Sequence, residues 1–429
     1  MIKTGKWIVY RFPVFFLRTG KESAILYAMS RKKAVVRKPK IKKKTDYYDY
    51  SLLAVIILLT CFGLVMLYST SSYMAELNYG DDMYYFKKQA AISLACIIAA
   101  LAISQIDYHI LTRFTGVIYG VAAVLMLLVK TPLGRSANGA RRWLNLGPLS
   151  FQPSELAKIA VIVCLSYMIV NMGRKIGTLK GFMMLAGSGG ALAFITYVFT
   201  DNLSTAIIIF GITIGLIFIA HPKVRPFLIA AGILLVVAIV AISFLSATME
   251  TSSSFRLRRI LVWLHPEDYA SGDGYQTIQA LYAIGSGGFL GRGLGNSIQK
   301  LGSVPEAQND MIFSIVCEEL GLVGAVVLLA MFLFLIYHLI RIAVNSENLF
   351  GKVLVMGIAF HISLQVLINV GVVLTIIPNT GASLPFISYG GSAVLFTLAE
   401  MGIALSVNRY HMRRSLQRKR AELEKEEEQ

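Results

Sequence analysis

The sequence predicts an all-α polytopic membrane protein with about ten transmembrane helices. Of its 429 residues, 56% are hydrophobic and only 15% are charged, whereas a soluble domain carries about 25% charged residues. A chain with so few charges cannot cover a water-facing surface of its size. Apolar runs of roughly 20 residues, the length that crosses a bilayer, recur along the chain.

Ten runs are long enough, and an even number of spans places both termini on the same side. Basic residues concentrate in the tails at 1–50 and 411–429. Cytoplasmic segments carry an excess of Lys and Arg, so we expect both termini in the cytoplasm and a multi-pass protein of the cytoplasmic membrane. The ten predicted spans are 51–69, 88–105, 109–130, 155–172, 180–200, 203–220, 225–246, 311–341, 351–377 and 386–408.

The formal net charge of +17 would suit a nucleic-acid-binding protein if it were spread over a folded surface. Most of the excess instead falls in residues 1–50, next to the first span. A juxtamembrane basic tail is attracted to anionic lipid, so no nucleic-acid partner is predicted. This tail lacks the cleavage site of a signal peptide; we expect it to be mostly disordered, and an interfacial segment is the alternative.

Neither a disulfide framework nor a metal cage is indicated. The four cysteines lie in apolar runs without a Cys-x-x-Cys pair, and the six histidines are not clustered. The glycines near 285–295 are not followed by Gly-Lys-Ser/Thr and not preceded by a strand, so a nucleotide loop is excluded.

The loop between the third and fourth spans should face outward, yet it carries Arg135, Arg141 and Arg142 without an acid before Glu155. This violates the positive-inside trend. A bound anion at the outer surface would account for it, because Arg presents a planar fork of donors suited to phosphate; tolerance of a few outward arginines is the alternative. Glu155 and Lys158 lie three residues apart at the start of the next helix, close enough to form an ion pair. The pair would serve either function or the stability of that helix end.

A long outer loop, 246–310, separates the seventh and eighth spans. Its segment from Gly274 predicts an amphipathic helix followed by glycine turns. The loop ends with Glu306 and Asp310; either Asn309 or Asp310 is suited to cap the next helix, and Asn309 in that role would leave Asp310 for chemistry. Two further acids lie deeper in the eighth span and predict a structural pairing with a buried cation such as Lys158; they are Glu318 and Glu319.

The segment 377–392 joins the last two spans with two prolines and several glycines. A broken helix at membrane depth is tolerated only where its backbone is buried in protein or lines a cavity. The turn that contains Ser388, Gly390, Gly391 and Ser392 therefore predicts a polar cavity at the outer face.

These motifs resemble the SEDS family (shape, elongation, division and sporulation), the FtsW/RodA/SpoVE proteins, over about residues 51–410. The FtsW/SpoVE branch is the more similar one. Two departures occur: Gln308 and Asn309 stand where His-Thr is usual, and Thr200-Asp-Asn-Leu-Ser-Thr replaces a Pro-Asp-Leu-Gly-Thr pattern. The matching motifs are Ala140-Arg-Arg-Trp-Leu-Asn-Leu-Gly, Phe151-Gln-Pro-Ser-Glu-Leu-Ala-Lys, Gly293-Leu-Gly-Asn-Ser, Pro305-Glu-Ala with Asp310, Glu318-Glu-Leu-Gly and Ile387-Ser-Tyr-Gly-Gly-Ser.

The resemblance implies a peptidoglycan glycosyltransferase domain at 51–410 that polymerises lipid II at the outer face of the membrane. It also implies a class B penicillin-binding protein, a transpeptidase, as partner, together with other division or sporulation membrane proteins. Lipid II carries a pyrophosphate leaving group, so a single carboxylate is expected to suffice, as the base for the acceptor hydroxyl. A divalent cation, Mg²⁺ or Mn²⁺, on the pyrophosphate stays open, and no other cofactor is indicated.

Our hypothesis for the site makes Asp310 the general base, with Arg141, Arg142 and Lys158 on the diphosphate and Glu155 positioning Lys158. Trp143 and the turn 388–392 would shape the cavity, and Glu306 is a further candidate. Two alternatives stay open: a flippase for the lipid-linked precursor, which needs a path that opens to each side in turn, and a non-catalytic scaffold of the division machinery.

Overall fold

The computed structural model describes residues 49–137, 140–146, 149–248, 255–272, 274–302 and 304–427. The basic tail is described only from residue 49 onward, so its predicted disorder or interfacial placement lies outside the described residues.

Helices occupy all ten positions predicted to span the membrane. Within the described residues, nine are long and apolar enough to cross a bilayer, and α7, of 24 residues, stands at the remaining position. The polytopic helical fold is thereby confirmed. The ten helices are α1 (Tyr50–Tyr79), α2 (Tyr84–Gln105), α3 (Ile110–Leu128), α4 (Pro153–Met172), α5 (Leu179–Phe199), α6 (Leu203–Ala220), α7 (Arg225–Thr248), α10 (Ile312–Asn345), α11 (Leu349–Val373) and α12 (Gly391–Glu427).

Two helices differ from their predicted bounds by five residues or more. Helix α1 continues about three turns beyond the predicted outer end and stops at Gly80, whose left-handed conformation ends the helix. Helix α12 begins at Gly391 rather than at 386 and continues through the C-terminal tail, where Arg418 pairs with Glu347 at 2.8 Å. The span prediction rested on apolar composition, and a helix that leaves the bilayer keeps its backbone bonds while its composition becomes polar.

A small antiparallel sheet, absent from the all-α prediction, fills the loop between α3 and α4. Strand β2 (Ala140–Leu146) lies between β1 (Gly134–Ala137) and β3 (Leu149–Phe151). Side chains on a strand alternate between its two faces. Leu144 is buried, so the face that it shares with Arg142 is directed into the protein, while Arg141 is exposed.

The described part of the loop 246–310 contains two α-helices, α8 (Phe255–Leu264) and α9 (Tyr275–Gly287). The second is the helix that the sequence predicted after Gly274, and it packs against α10. The glycine turns that follow lie against a kink in α10: the amides of Arg292 and Gly293 donate to the carbonyls of Glu318 and Glu319.

Glu318 and Glu319 are fully buried, but their partner is not Lys158, as the sequence had suggested. Lys300 Nζ lies 2.8 Å from Glu319 Oε1, and Ile298 donates its amide to Glu318 at 3.0 Å. Because both acids bind the loop 292–300, they attach it to α10. The prediction named a cation on another span, whereas Lys300 lies in a loop that folds back onto the helix.

Gly321 is the residue at which α10 kinks, with φ of +66°. A Cβ there would collide with the backbone of Gly291. We expect Gly321→Ala to destabilise the protein by at least about 2 kcal/mol, because the strained backbone and the collision add. Thermal unfolding in detergent measures this. Gly120→Ala, in α3 with open space around the new methyl group, serves as the matched control; an equal loss in both variants would contradict the prediction.

Helices α11 and α12 are the most buried of the candidate spans, each 72% buried over its apolar window. Helix α11 packs against α4, α6 and α10. The outer end of α11 therefore lies at the centre of the helical bundle, where the segment 374–390 and the turn before α10 meet.

Candidate functional site

Asp310 lies in the turn before α10, at the end of the bundle that the sequence predicts to face outward. The residue is half-buried, and its Oδ1 is buried without a hydrogen-bond partner. Neither predicted cap forms: α10 follows Met311 without a side-chain cap, and Asn309 donates to Glu306 instead. The carboxylate of Asp310 is therefore available for a role other than capping.

Burial raises the pKa of Asp310 to about 6. Its own backbone amide and the charges of Arg259 and Arg142 act against the rise, while Glu306 adds to it. A carboxyl group with this pKa is a stronger base than an ordinary aspartate and is still ionised at neutral pH.

Arg142 and Arg259 are the two cations whose charges act on Asp310. Arg142 extends from the inward face of β2; its Nη2 donates to the Asp201 carbonyl at 3.2 Å, and its Nε is buried without a hydrogen-bond partner. Burial, followed by the charge of Arg259, lowers the pKa of Arg142. The two positive charges repel each other, and a bound anion would offset this repulsion.

Sequence analysis missed Arg259, which lies on α8. It donates to the Asn379 carbonyl at 3.2 Å and lines a cavity of about 270 Å³ together with Trp263, Gln276 and Asn379. The sequence did contain an indication of this residue. Arg256, Arg258 and Arg259 form a basic group in a segment predicted to face outward, which violates the positive-inside trend as the loop between the third and fourth spans does.

The segment 374–390, for which the broken-helix pattern predicted a polar cavity, packs against Asp310. A Cβ on Gly381 would lie 3.5 Å from Asp310 Oδ2, and the amide of Tyr389 donates to the Gln308 carbonyl at 2.9 Å. The neighbouring side chain of Ser388 is buried and closes the turn by accepting from the Leu384 amide at 2.7 Å.

Ser392, Gly390 and Gly391 connect this segment to other outer elements. Ser392 Oγ accepts from the Gln152 amide at 3.2 Å, at the end of β3. Gly390 donates its amide to Gln89 of α2 at 3.4 Å, and Gly391 begins α12. These residues support the walls around Asp310.

The structure does not bring every predicted residue to Asp310. Lys158 and Glu155 form the predicted ion pair at 2.8 Å, but Lys158 is only 2% exposed and also donates to Gln365. Arg141 is exposed and directed away from the inward face of β2, while Trp143 is half-buried and Glu306 is exposed. Asp310, Arg142 and Arg259 thus form the centre of the candidate site.

No group of three or more His, Cys, Asp or Glu side chains suited to a metal ion occurs among the residues that the structure describes. The arrangement offers one basic carboxylate on which the charges of two guanidinium groups act. Such a set can take a proton from a hydroxyl group beside a bound anion.

The chain was compared with known proteins. A family described as "Cell cycle protein", FtsW/RodA/SpoVE, matches residues 49–413. "Probable peptidoglycan glycosyltransferase FtsW" of Geobacter sp. (strain M18) is 36% identical over 372 residues, which cover 85% of this chain and 98% of the relative. "Stage V sporulation protein E" of Bacillus subtilis (strain 168) is 35% identical over 370 residues, which cover 86% and 98%.

Two solved structures share the fold. One belongs to "Structural coordination of polymerization and crosslinking by a peptidoglycan synthase complex", with a TM-score of 0.70, 25% identity and coverage of 85% of this chain and 98% of that chain. The other is the rod shape determining protein RodA of Thermus thermophilus, with a TM-score of 0.61, 26% identity and coverage of 84% and 97%. Since the family match extends over most of the sequence, and relatives above 30% identity align over nearly their whole length, the chain belongs to the FtsW/RodA/SpoVE family.

Proposed function

We propose that this protein is a peptidoglycan glycosyltransferase that polymerises lipid II at the outer face of the cytoplasmic membrane, during cell division or sporulation. The observation that carries the proposal is the half-buried carboxylate of Asp310, which has a raised pKa and an unpartnered oxygen and lies under the charges of Arg142 and Arg259. The names of the relatives supply the reaction class, and the site supplies groups with the required chemistry.

Asp310 acts as the general base. The hydroxyl oxygen of the acceptor sugar attacks the anomeric carbon of the donor while its proton passes to the carboxylate. The bond from that carbon to the phosphate oxygen breaks, and the lipid pyrophosphate leaves. A glycosidase needs two carboxyl groups, whereas pyrophosphate leaves without protonation once its charge is neutralised. One carboxylate therefore suffices.

Arg142 and Arg259 are the groups that we assign to the diphosphate. The charges of both act on Asp310, and guanidinium groups suit phosphate oxygens. Lys158 is buried against Glu155 and Gln365 in this conformation, so we assign it a supporting role. Arg141 would meet substrate only at the rim of the site.

A divalent cation, Mg²⁺ or Mn²⁺, would accompany the pyrophosphate and neutralise part of its charge. Phosphate oxygens and water would have to supply most of its ligands, because the described residues provide no cage.

The orientation follows from the basic tails, which place both termini in the cytoplasm and the loop 246–310 outside. For the partner we propose a class B penicillin-binding protein, acting with other division or sporulation membrane proteins. One similar structure comes from a complex described as coordinating polymerisation and crosslinking, which supports this choice.

The test supplies labelled lipid II to the purified protein with its cognate penicillin-binding protein, the latter carrying an inactivated crosslinking serine. We expect glycan ladders on a gel. A preparation that moves lipid II across vesicles without making glycan would favour the flippase. If it does neither while cells lacking the protein still fail to assemble the division machinery, the scaffold is favoured; either result would refute the proposal.

We expect Arg142→Ala to slow polymerisation at pH 7 by about 10²-fold, because a donor to the leaving diphosphate is lost. The pH at which the rate is half-maximal should also move upward, since Arg142 lowers the pKa of Asp310. A rate–pH profile measures both effects. Arg141→Ala, on the other face of β2, is the matched control; if it has the larger effect, the assignment of the anion site to Arg142 is wrong.

A further inference from the structure

A row of three buried polar side chains runs along one face of α11. His361, Gln365 and Asn369 are spaced four residues apart, which places them above one another on the helix, and each is at most 2% exposed. His361 is the thirteenth of the 25 residues of α11 and so lies at mid-span. Buried polar groups at this depth are costly unless every one is paired.

The outer end of the row binds the main chain at Asp310. Asn369 Nδ2 donates to the carbonyl of Asp310 at 2.8 Å and to the carbonyl of Ala382 at 2.7 Å. One amide group thus joins the turn that carries the carboxylate to the segment 374–390 that packs over it.

The middle of the row connects to the Lys158–Glu155 pair. Gln365 Nε2 donates to the Ser383 carbonyl at 3.0 Å, and Gln365 Oε1 accepts from Lys158 Nζ at 3.0 Å. An ammonium group can only donate and a carbonyl can only accept, so these contacts determine the orientation of the amide.

The inner end of the row is a histidine–carboxylate pair. His361 Nε2 lies 2.8 Å from Gln365 Oε1 and therefore donates to it, while His361 Nδ1 lies 2.8 Å from Glu400 of α12. A contact between a ring nitrogen and a carboxylate oxygen needs a proton, carried by one or the other. The pair is then neutral overall, and the Lys158–Glu155 pair next to it is neutral as well.

We propose that Asn369, Gln365 and the His361–Glu400 pair are positioning residues that fix the turn of Asp310 relative to the segment 374–390. We also propose that His361 Nδ1 and Glu400 share one proton, in addition to the proton on His361 Nε2, which leaves the whole row without net charge. The catalytic significance rests on the proposed function, whereas the positioning itself does not.

The physical argument is that buried hydrogen bonds restrict the groups that they join to one arrangement. Asn369 makes two such bonds through its Nδ2, while its Oδ1 is buried without a partner. Asn369 is the only one of the three that touches the Asp310 main chain in the described contacts. Its loss would free the turn while leaving the carboxylate present. Proton transfer is sensitive to displacements of about 1 Å, so the turnover rate should suffer more than substrate binding.

The test compares Asn369→Leu with Asn408→Leu, a buried amide on the inner half of α12 that contacts only Met412 among the described hydrogen bonds. Hydrogen–deuterium exchange of the peptide 305–314 is followed in both, together with kcat and KM for lipid II. We expect exchange to accelerate and kcat to fall by about tenfold or more in Asn369→Leu, with KM within about twofold of wild type. Asn408→Leu should leave all three near wild type.

Unchanged exchange in Asn369→Leu, or equal acceleration in both variants, would overturn the positioning role. If wild type makes no glycan, the proposed function fails, yet the exchange comparison still decides the positioning role. The two failures are therefore distinguishable.

The shared proton is tested by His361→Gln, which leaves the Glu400 carboxylate unpaired. The matched control is His338→Gln, which removes the pair between His338 and Asp49 at the other end of the bundle. We expect His361→Gln to lower the unfolding temperature more than His338→Gln, and the double variant His361→Gln/Glu400→Gln to recover at least half of the loss. A double variant no more stable than His361→Gln would refute the neutral pair.

Discussion

Asp310→Asn is expected to reduce lipid II polymerisation by about 10²–10⁴-fold, because an amide cannot take the proton of the acceptor hydroxyl. The glycan ladder of the purified complex measures the effect. Asp268→Asn, an exposed acid in the same outer loop, is the matched control and should retain wild-type activity. Asp310→Asn with wild-type activity would refute the assignment of the base.

The pH dependence of the wild type tests the same residue. The ionised form of Asp310, which is the base, predominates above the pKa of about 6. The rate should therefore fall as the pH drops through this value and be half-maximal near it. An ordinary aspartate would remain active to a pH about two units lower. A rate that stays constant down to pH 4.5 would contradict the role of Asp310.

A stability measurement shows whether Asp310→Asn is inactive because the base is missing or because the protein is unfolded. Burial raises the pKa of Asp310 to about 6, so its ionised form weakens the folded state at neutral pH. This penalty declines as the pH falls below about 6 and is gone only below the ordinary aspartate pKa of 3.8. The neutral amide of Asp310→Asn never carries the penalty. We therefore expect the inactive variant to unfold at a temperature no lower than wild type at pH 7.5.

Lys300→Met is expected to destabilise the protein by about 3–5 kcal/mol, because it leaves the buried carboxylate of Glu319 without its cation. Glu319 is 0% exposed and Lys300 is 6% exposed. Ser69 of α1 also donates to Glu319 at 2.7 Å, so the loss should loosen the attachment of the outer loop to both α1 and α10. Thermal unfolding in detergent measures the change.

The control for Lys300 is Lys130→Met, which removes a half-exposed ion pair of similar length, 2.9 Å, with Asp201. Exposed pairs contribute about 0–1 kcal/mol, so this variant should lose little. The double variant Lys300→Met/Glu319→Gln should regain part of the stability, because no charge is then left unpaired. Similar losses in Lys300→Met and Lys130→Met would contradict a structural role for the buried pair.

The candidate site could be predicted only in part. Asp310 stood out as an acid at the end of the one long outer loop, and the Glu155–Lys158 pair followed from helical spacing. The inward direction of Arg142 and the outward direction of Arg141 required the strand β2, which the sequence did not indicate. Arg259 was missed because no periodicity or spacing in the sequence connects α8 with the turn before α10.

The sequence by itself determined the ten helical positions, and it predicts the outward placement of the basic loops. Each follows from local physics, since a span must be apolar and must satisfy its own backbone hydrogen bonds. Only the tertiary structure decided which charges meet. Lys300 pairs with Glu319, Asn369 holds Asp310, and His361 contacts Glu400, because these pairs depend on how distant segments pack and not on the composition of either one.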